Sequence, residues 1–129
     1  MRMIITKIEN RNKCTYVTGD TGIGIVRGIW HYREPPIWGE IYFFELSIEE
    51  FDRSEVTVLY EAPPFTSVHY HGGKVKFVGM CENIDEIYVI RFAEDWIEMV
   101  SLKNDDYSIK KGDFVSFTLS CEYIGIYPY

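Results

Sequence analysis

The sequence predicts an all-β fold, an antiparallel β-sandwich or a partly open β-barrel, in a single domain that covers residues 1–129. About nine or ten short segments are typical of strands, and turn signals separate them at the spacing expected of these folds. Apolar residues make up 47% of the chain and aromatic residues 16%, and the abundant Tyr, Phe, Ile, Val and Thr favour sheet over helix. A chain of 129 residues is long enough to bury a hydrophobic core without staples.

The clearest strand prediction covers residues 113–127, with the sequence DFVSFTLSCEYIGIY. Apolar and polar side chains alternate there at a period of two, which is the pattern of a half-buried strand. We therefore expect one long central strand. Its predicted inward row consists of Val115, Phe117, Leu119, Cys121 and Tyr123.

At the amino-terminal end, residues 3–9 and 14–18 predict two strands joined by a polar turn. The glycine-rich stretch at residues 19–28, GDTGIGIVRG, lacks both the GxxxxGK[ST] phosphate loop and the third glycine of the dinucleotide fingerprint. We expect a turn followed by a strand whose backbone approaches another strand closely.

Residues 40–47 predict a strand that is covered on both faces, because nearly every side chain is apolar. Ser47 and Glu50 have the spacing of a capping box, which predicts one or two helical turns over residues 48–53. Residues 55–61 then return to strand.

The pair Gly72-Gly73 predicts a two-residue hairpin turn. This turn fixes the register, with His71 opposite Lys74 and His69 opposite Lys76. All four of these side chains then share one face, and the apolar side chains share the other, so a slip of one residue would mix the two classes.

The remaining predicted strands cover residues 86–92 and 96–102. A turn at residues 93–95 connects them, a loop covers residues 104–106, and a turn at residues 110–113 leads into the last strand.

A metal site is not predicted. His69 and His71 project from one strand face at a spacing that two metal ligands can use, but a third ligand is missing and Lys74 and Lys76 would repel a cation. We therefore expect a solvated basic patch and no cofactor.

The sequence also carries no GxSxG nucleophile motif, so we predict a protein without catalytic residues. The cysteines, Cys14, Cys81 and Cys121, are odd in number and widely spaced, which predicts reduced thiols rather than a disulfide framework.

The formal charge of −7 disfavours binding to nucleic acid. The segment between residues 82 and 106 contains eight carboxylates but only two cationic residues, Arg91 and Lys103, which gives it a local charge of −6. It is either a solubilising face or a docking surface for a basic partner; catalysis by turn carboxylates of ordinary acidity is a weaker hypothesis. The predicted partner-binding residues are Glu82, Asp85, Glu86, Glu94, Asp95, Trp96, Glu98, Asp105 and Asp106.

A second candidate surface lies in residues 30–39, WHYREPPIWG, where two prolines predict a loop. The rings of Trp30, Tyr32 and Trp38 either form a stacking surface for a carbohydrate or plug the end of a barrel.

Both ends of the sequence bear on partners and location. Residues 124–129 are rich in large apolar side chains, which predicts docking on the same domain or against a second chain, including a homodimer. The start, MRMIITKIEN, does not have the pattern of a signal peptide, and no segment approaches ~20 apolar residues. We expect a soluble cytoplasmic protein that does not bind membranes.

A small, acidic, β-rich chain without catalytic motifs, ending in EYIGIYPY, resembles the immunity proteins that bacteria carry beside polymorphic or contact-dependent toxins. The resemblance is one of general type and extends over the whole chain. It implies a cytosolic protein that binds one toxin domain, often a cationic nuclease, and blocks its active site. The alternative function is a carbohydrate-binding or glycan-processing domain that uses the aromatic loop.

Overall fold

The computed structural model describes residues 1–63 and 65–129. It is 62% strand and 5% helix, which confirms the all-β prediction. The strands are β1 (Arg2–Arg11), β2 (Cys14–Asp20), β3 (Gly24–Trp30), β4 (Ile41–Ile48), β5 (Phe51–Asp52), β6 (Val56–Leu59), β7 (Ser67–His71), β8 (Lys74–Ile84), β9 (Tyr88–Ala93), β10 (Trp96–Val100), β11 (Leu102–Lys103), β12 (Phe114–Ser120) and β13 (Ile124–Pro128). Two 3-10 helices cover Arg53–Glu55 and Cys121–Tyr123. In the described ranges, neither helix has the length or hydropathy needed to cross a membrane.

Five strands close into a barrel. Strand β1 pairs with β2 and β4, β4 pairs with β13, β13 pairs with β3, and β3 returns to β2. The β3–β13 pairing is parallel and the other four are antiparallel. The ring is therefore closed rather than partly open. Its interior is filled by side chains, since Met3, Ile5, Val17 and Val26 are almost completely buried.

The remaining strands form a second layer around β8. This strand pairs with β7, β9 and β12, while β6 extends the layer beyond β12 and β10 extends it beyond β9. Strand β7 joins the layer to the barrel through a short parallel pairing with β3. Strands β5 and β11 form a separate parallel pair.

The β7–β8 hairpin has the predicted register. His71 lies opposite Lys74 and His69 opposite Lys76. Gly72 and Gly73 have φ angles of 59° and 80°, which glycine adopts readily.

The glycine-rich stretch makes the close backbone approach that was predicted. A Cβ atom on Gly24, whose φ is 143°, would overlap the carbonyl group of Val68 on β7. A Cβ atom on Gly28 would lie 2.6 Å from the carbonyl oxygen of Ile124 on β13. These two glycines let β3 pair with β7 and β13 along one edge.

The predicted central strand over residues 113–127 is interrupted. Val115, Phe117 and Leu119 are buried as expected, but β12 ends at Ser120 and the 3-10 helix Cys121–Tyr123 follows. The prediction of Cys121 and Tyr123 in the inward row is therefore wrong. The break has a structural reason, since β12 pairs with β8 whereas β13 lies in the barrel between β3 and β4.

The predicted helix over residues 48–53 is also wrong. Phe51 lies on β5, and its buried ring packs 5.0 Å from that of Phe117. The capping box occurs later in the chain: the Asp52 carboxylate accepts from the backbone N–H of Ser54, and the Glu55 carboxylate accepts from that of Asp52 at 3.2 Å.

Strand β4 is covered on only one face, contrary to the prediction. Phe44 and Leu46 are buried, while Ile41 and Phe43 are exposed. The strand has alternating exposure even though its outward positions are apolar.

A row of aromatic rings connects the two layers. Phe77 lies 5.1 Å from Phe117 and 5.5 Å from Phe92 between ring centroids. Phe92 lies 5.5 Å from Trp96, which in turn makes a T-shaped contact with Phe44 of the barrel at 5.5 Å between ring centroids. The barrel and the second layer thus share one hydrophobic core.

We expect Phe77→Ala to lower the free energy of unfolding by about 3–5 kcal/mol, because the ring is fully buried between two others. Urea denaturation monitored by tryptophan fluorescence measures the change. The matched control is Phe65→Ala, which removes an exposed ring and should change stability by less than about 0.5 kcal/mol. Equal losses in the two variants would contradict the central role of Phe77.

Candidate functional site

The structure separates the predicted acidic residues into groups. Asp85 and Glu86 lie in the turn between β8 and β9, and Glu94 and Asp95 lie in the turn between β9 and β10. Strand β9 spans about 20 Å between these turns, at roughly 3.3 Å per residue. The four exposed carboxylates therefore do not form one continuous surface.

Trp96 and Glu98 are buried, with 3% and 7% of their surfaces exposed. The prediction that these two side chains lie on an exposed surface is therefore wrong. On β10 the alternation places Trp96, Glu98 and Val100 inward and leaves Ile97 and Met99 exposed. Glu98 thus occupies an inward position, although its charge favours a place at the surface.

Asp105 stabilises the loop that contains it. Its carboxylate accepts a hydrogen bond from the Tyr88 hydroxyl at 2.6 Å and another from the Tyr107 backbone N–H at 2.9 Å. Burial, followed by the bond to Asp105, raises the pKa of the Tyr88 phenol well above its ordinary value. This carboxylate has a structural role.

Asp106 and Glu82 are similarly engaged. Hydrogen bonds from Ser108 are the main cause that lowers the pKa of Asp106, which also pairs with Arg53 at 3.2 Å. Glu82 forms a bidentate pair with Arg91 at 2.9 Å. These pairs reduce the charge that the segment presents to a partner.

A groove lies where β10 faces β4, and we call it the seam groove. Strand β10 pairs with β9 alone within the described residues, and the part of β4 beyond β1 pairs only with β13. The groove has a volume of about 480 Å³. Its lining residues are Met1, Phe44, Glu45, Leu46, Ser47, Ile48, Asp95, Trp96, Ile97, Glu98, Met99 and Tyr129.

Among the described residues, the lining of the seam groove carries three side-chain carboxylates, Glu45, Asp95 and Glu98, and no lysine or arginine side chain. Glu45 and Asp95 are exposed on its two walls, whereas Glu98 lies in its floor. The amino group of Met1 lies 3.8 Å from the Asp95 carboxylate at one end.

The Glu98 carboxylate joins the two strands. It accepts a hydrogen bond from the indole N–H of Trp96 at 2.8 Å and another from the backbone N–H of Leu46 on β4.

Burial raises the pKa of Glu98 to about 7. The hydrogen bonds from Trp96 and Leu46 oppose this rise, the nearby charge of Glu45 adds to it, and the Met1 amino group opposes it. Glu98 is therefore partly protonated near neutral pH, and a cation placed in the groove would favour its charged form.

A second groove, of about 530 Å³, lies on the other side of the second layer. Its carboxylates include Glu49, Glu50 and Glu55, but Lys74 and Lys103 also line it. Its charge is mixed, and its titratable side chains are not buried as Glu98 is.

The aromatic loop is partly a plug and partly exposed. Trp30 is buried; its indole N–H donates to the carbonyl of Glu34 at 2.8 Å, and its ring makes a T-shaped contact with that of Tyr42 at 5.0 Å between centroids. Trp38 is 72% exposed and Tyr32 is partly exposed. Of the two alternatives for Trp30, a stacking surface or a plug, its burial agrees with the plug.

His69 and His71 are exposed, and their rings stack with centroids 6.2 Å apart. Residues 1–63 and 65–129 contain no group of three His, Cys, Asp or Glu side chains placed to hold a metal ion.

The three cysteines are free. Cys81 is buried, and burial is the main cause that raises the pKa of its thiol. Cys14 and Cys121 are partly buried.

Glu45 and the backbone of Leu46 are candidate site residues that the sequence-based prediction did not identify. Glu45 is the one charged residue within the apolar strand β4, which is a local signal. Its position across the groove from β10 depends on tertiary packing and has no signal in the sequence.

In comparisons with known proteins, no family model, no curated protein and no solved structure matches this chain.

We expect Glu98→Gln to make the protein less sensitive to pH. Because the folded-state pKa of about 7 lies above the ordinary value of 4.5, native Glu98 binds its proton more tightly than the unfolded chain does. Protonated Glu98 therefore stabilises the folded wild type at low pH. This contribution to the free energy of unfolding, on the order of 3 kcal/mol, is lost as pH rises from about 4.5 to about 7.

Urea denaturation between pH 4.5 and pH 8 tests this expectation. The Glu98→Gln variant should match the wild type at pH 4.5 and exceed its stability at pH 8, since a neutral amide can still accept from Trp96 and Leu46. Glu86→Gln, at an exposed turn, is the matched control. A parallel pH profile in wild type and Glu98→Gln would show that Glu98 titrates normally.

Proposed function

We propose that this chain is a non-enzymatic binding protein of the immunity type, which neutralises a cognate toxin domain by holding a basic part of its surface in the seam groove. The observation that carries this proposal is the groove itself. Its lining contains three carboxylates without a lysine or arginine side chain, and one of those carboxylates is buried beneath the opening.

A lysine or arginine side chain is the group that this groove suits best. Glu98 is already removed from water in the free protein and is held by two hydrogen bonds. A cation that reaches it encounters a carboxylate in a region of low dielectric constant, where the attraction is stronger than at an exposed surface. Glu45 on the wall extends the negative potential to the groove entrance, while Asp95 is partly neutralised by the amino group of Met1.

The charge of the whole chain supports the same partner. A net charge of −7 attracts a basic protein over long distances and repels nucleic acid. Such a partner is typical of the cationic nuclease toxins that the resemblance implies. The proposed location is the cytoplasm, where an immunity protein of this type meets its toxin.

The alternative, a carbohydrate-binding or glycan-processing domain, has less support. Its stacking surface needed three rings, and Trp30 is buried beneath Tyr42. Two separate rings, Tyr32 and Trp38, remain accessible.

The proposal is tested by co-purification with the protein encoded by the adjacent gene, at low and high salt. We expect a complex whose affinity falls with salt, because exposed charges are screened. The double variant Glu45→Gln/Asp95→Asn should weaken it about tenfold or more at low salt.

The control is Asp85→Asn/Glu86→Gln, which removes two carboxylates at the opposite end of β9 and should leave affinity within about twofold. Absence of a complex at every salt concentration would remove the proposal. Equal weakening by the two double variants would mean that net charge, and not the groove, determines binding.

Binding should also depend on pH through Glu98. Since a bound cation favours the ionised carboxylate, the affinity should fall about tenfold from pH 8 to pH 6, across the pKa of about 7. Isothermal titration calorimetry at several pH values measures this change. In Glu98→Gln the same pH range should have little effect, and a wild-type pH dependence retained in that variant would place the titrating group elsewhere.

A further inference from the structure

An apolar patch covers the outer surface of the barrel beside the seam groove. It consists of Ile4, Ile41, Phe43 and Tyr129, and we call it the barrel face. The β1–β4 register places Ile4 directly opposite Ile41, and the ring of Phe43 lies 6.2 Å from that of Tyr129. These four side chains are between 44% and 74% exposed.

The barrel face is not part of the core. Along β4 the inward positions are held by Phe44 and Leu46, which are buried, so the outward positions need no apolar side chain to complete the fold. Contiguous exposed apolar patches on soluble proteins commonly mark sites of interaction.

The barrel face is continuous with the seam groove. Tyr129 lines the groove and also packs against Phe43. Glu45 is the next outward residue after Phe43 on β4, so the last apolar side chain lies beside the first carboxylate of the groove. At the other margin, exposed Trp38 donates a hydrogen bond from its indole N–H to the carbonyl of Thr6, two residues along β1 from Ile4.

We propose that the partner held in the seam groove also docks on the barrel face, so that its contact surface places basic side chains beside an apolar patch. This inference rests on the proposed function and specifies the partner's chemistry. It combines an apolar centre with a charged margin, the arrangement found in many specific interfaces.

The charges around the barrel face favour a basic partner over a second copy of the chain. Asp20 lies opposite Ile4 at one side, Glu45 and Asp95 lie at the groove side, and Arg2 lies opposite Phe43 within the patch. Two copies joined by this face would bring like-charged margins together, which is unfavourable. A basic surface would neutralise them.

The test compares two double variants for binding to the toxin protein encoded by the adjacent gene. Ile41→Ser/Phe43→Ser alters only exposed side chains of the face, and thermal melting is used to check that the variant folds. Tyr60→Ser/Phe65→Ser removes two exposed rings elsewhere and is the matched control. We expect the face variant to bind about 30-fold more weakly at both low and high salt, while the control binds as the wild type does.

Each other outcome has a defined meaning. If Glu45→Gln/Asp95→Asn weakens binding and the face variant does not, the barrel-face inference is overturned and the proposed function stands. If neither variant changes binding, both fail. If light scattering finds a dimer of the free chain that the face variant converts to monomer, with toxin affinity unchanged, the face belongs to a second copy and the inference is overturned.

Discussion

The contact between Phe44 and Trp96 joins the barrel to the second layer at the seam groove, away from the β3–β7 pairing. Phe44 belongs to the barrel and Trp96 to the outermost strand of the second layer, and Trp96 continues through Phe92 into the row of rings around Phe77. The edge of β4 that continues beyond β1 does not pair with β10 in the described part of the chain. Strand β10 therefore reaches the barrel through side chains rather than through a continued ladder of main-chain hydrogen bonds.

This way of joining the layers explains why Glu98 is buried. Once Trp96 is fixed against Phe44, alternation along β10 directs Glu98 toward the same side. The outward-directed backbone N–H of Leu46 needs an acceptor in a place that water reaches poorly, and the Glu98 carboxylate supplies it. The arrangement satisfies the backbone but keeps a titratable group in a region that favours its neutral form.

Local rules in the sequence predicted the hairpin at Gly72-Gly73 to the residue, because the turn and the segregation of polar from apolar side chains specify one register. The same kind of rule failed at Ser47 and Glu50, where burial of Phe51 outweighed a capping pattern that Asp52 and Glu55 adopt instead. Closure of the barrel could not be predicted from local pattern, since it pairs Ile29 with Gly125 from opposite ends of the chain.

The candidate site was predicted only in part for a related reason. Asp95 was identified because it is charged and lies in a turn, and Glu98 was identified as acidic but assigned to the surface. The sequence pattern of β10 would have allowed its burial, since Trp96 and Val100 share its face. No sequence pattern identifies Leu46 on β4 as the group that contacts Glu98. Leu46 lies about fifty residues away along the chain, and it donates through a backbone N–H group that every residue except proline carries.

A side chain whose charged form is disfavoured by its surroundings lowers stability at neutral pH, and a neutral residue at position 98 would complete this fold with less strain. Proteins commonly retain such a residue where binding or chemistry requires it, and compensate through the rest of the core. The proposed function accounts for the retained carboxylate, because a bound cation would relieve the penalty that the free protein carries. Under that proposal, ionised Glu98 costs the unbound protein free energy. A bound cation recovers that free energy, and the recovered part contributes to the affinity for a basic partner.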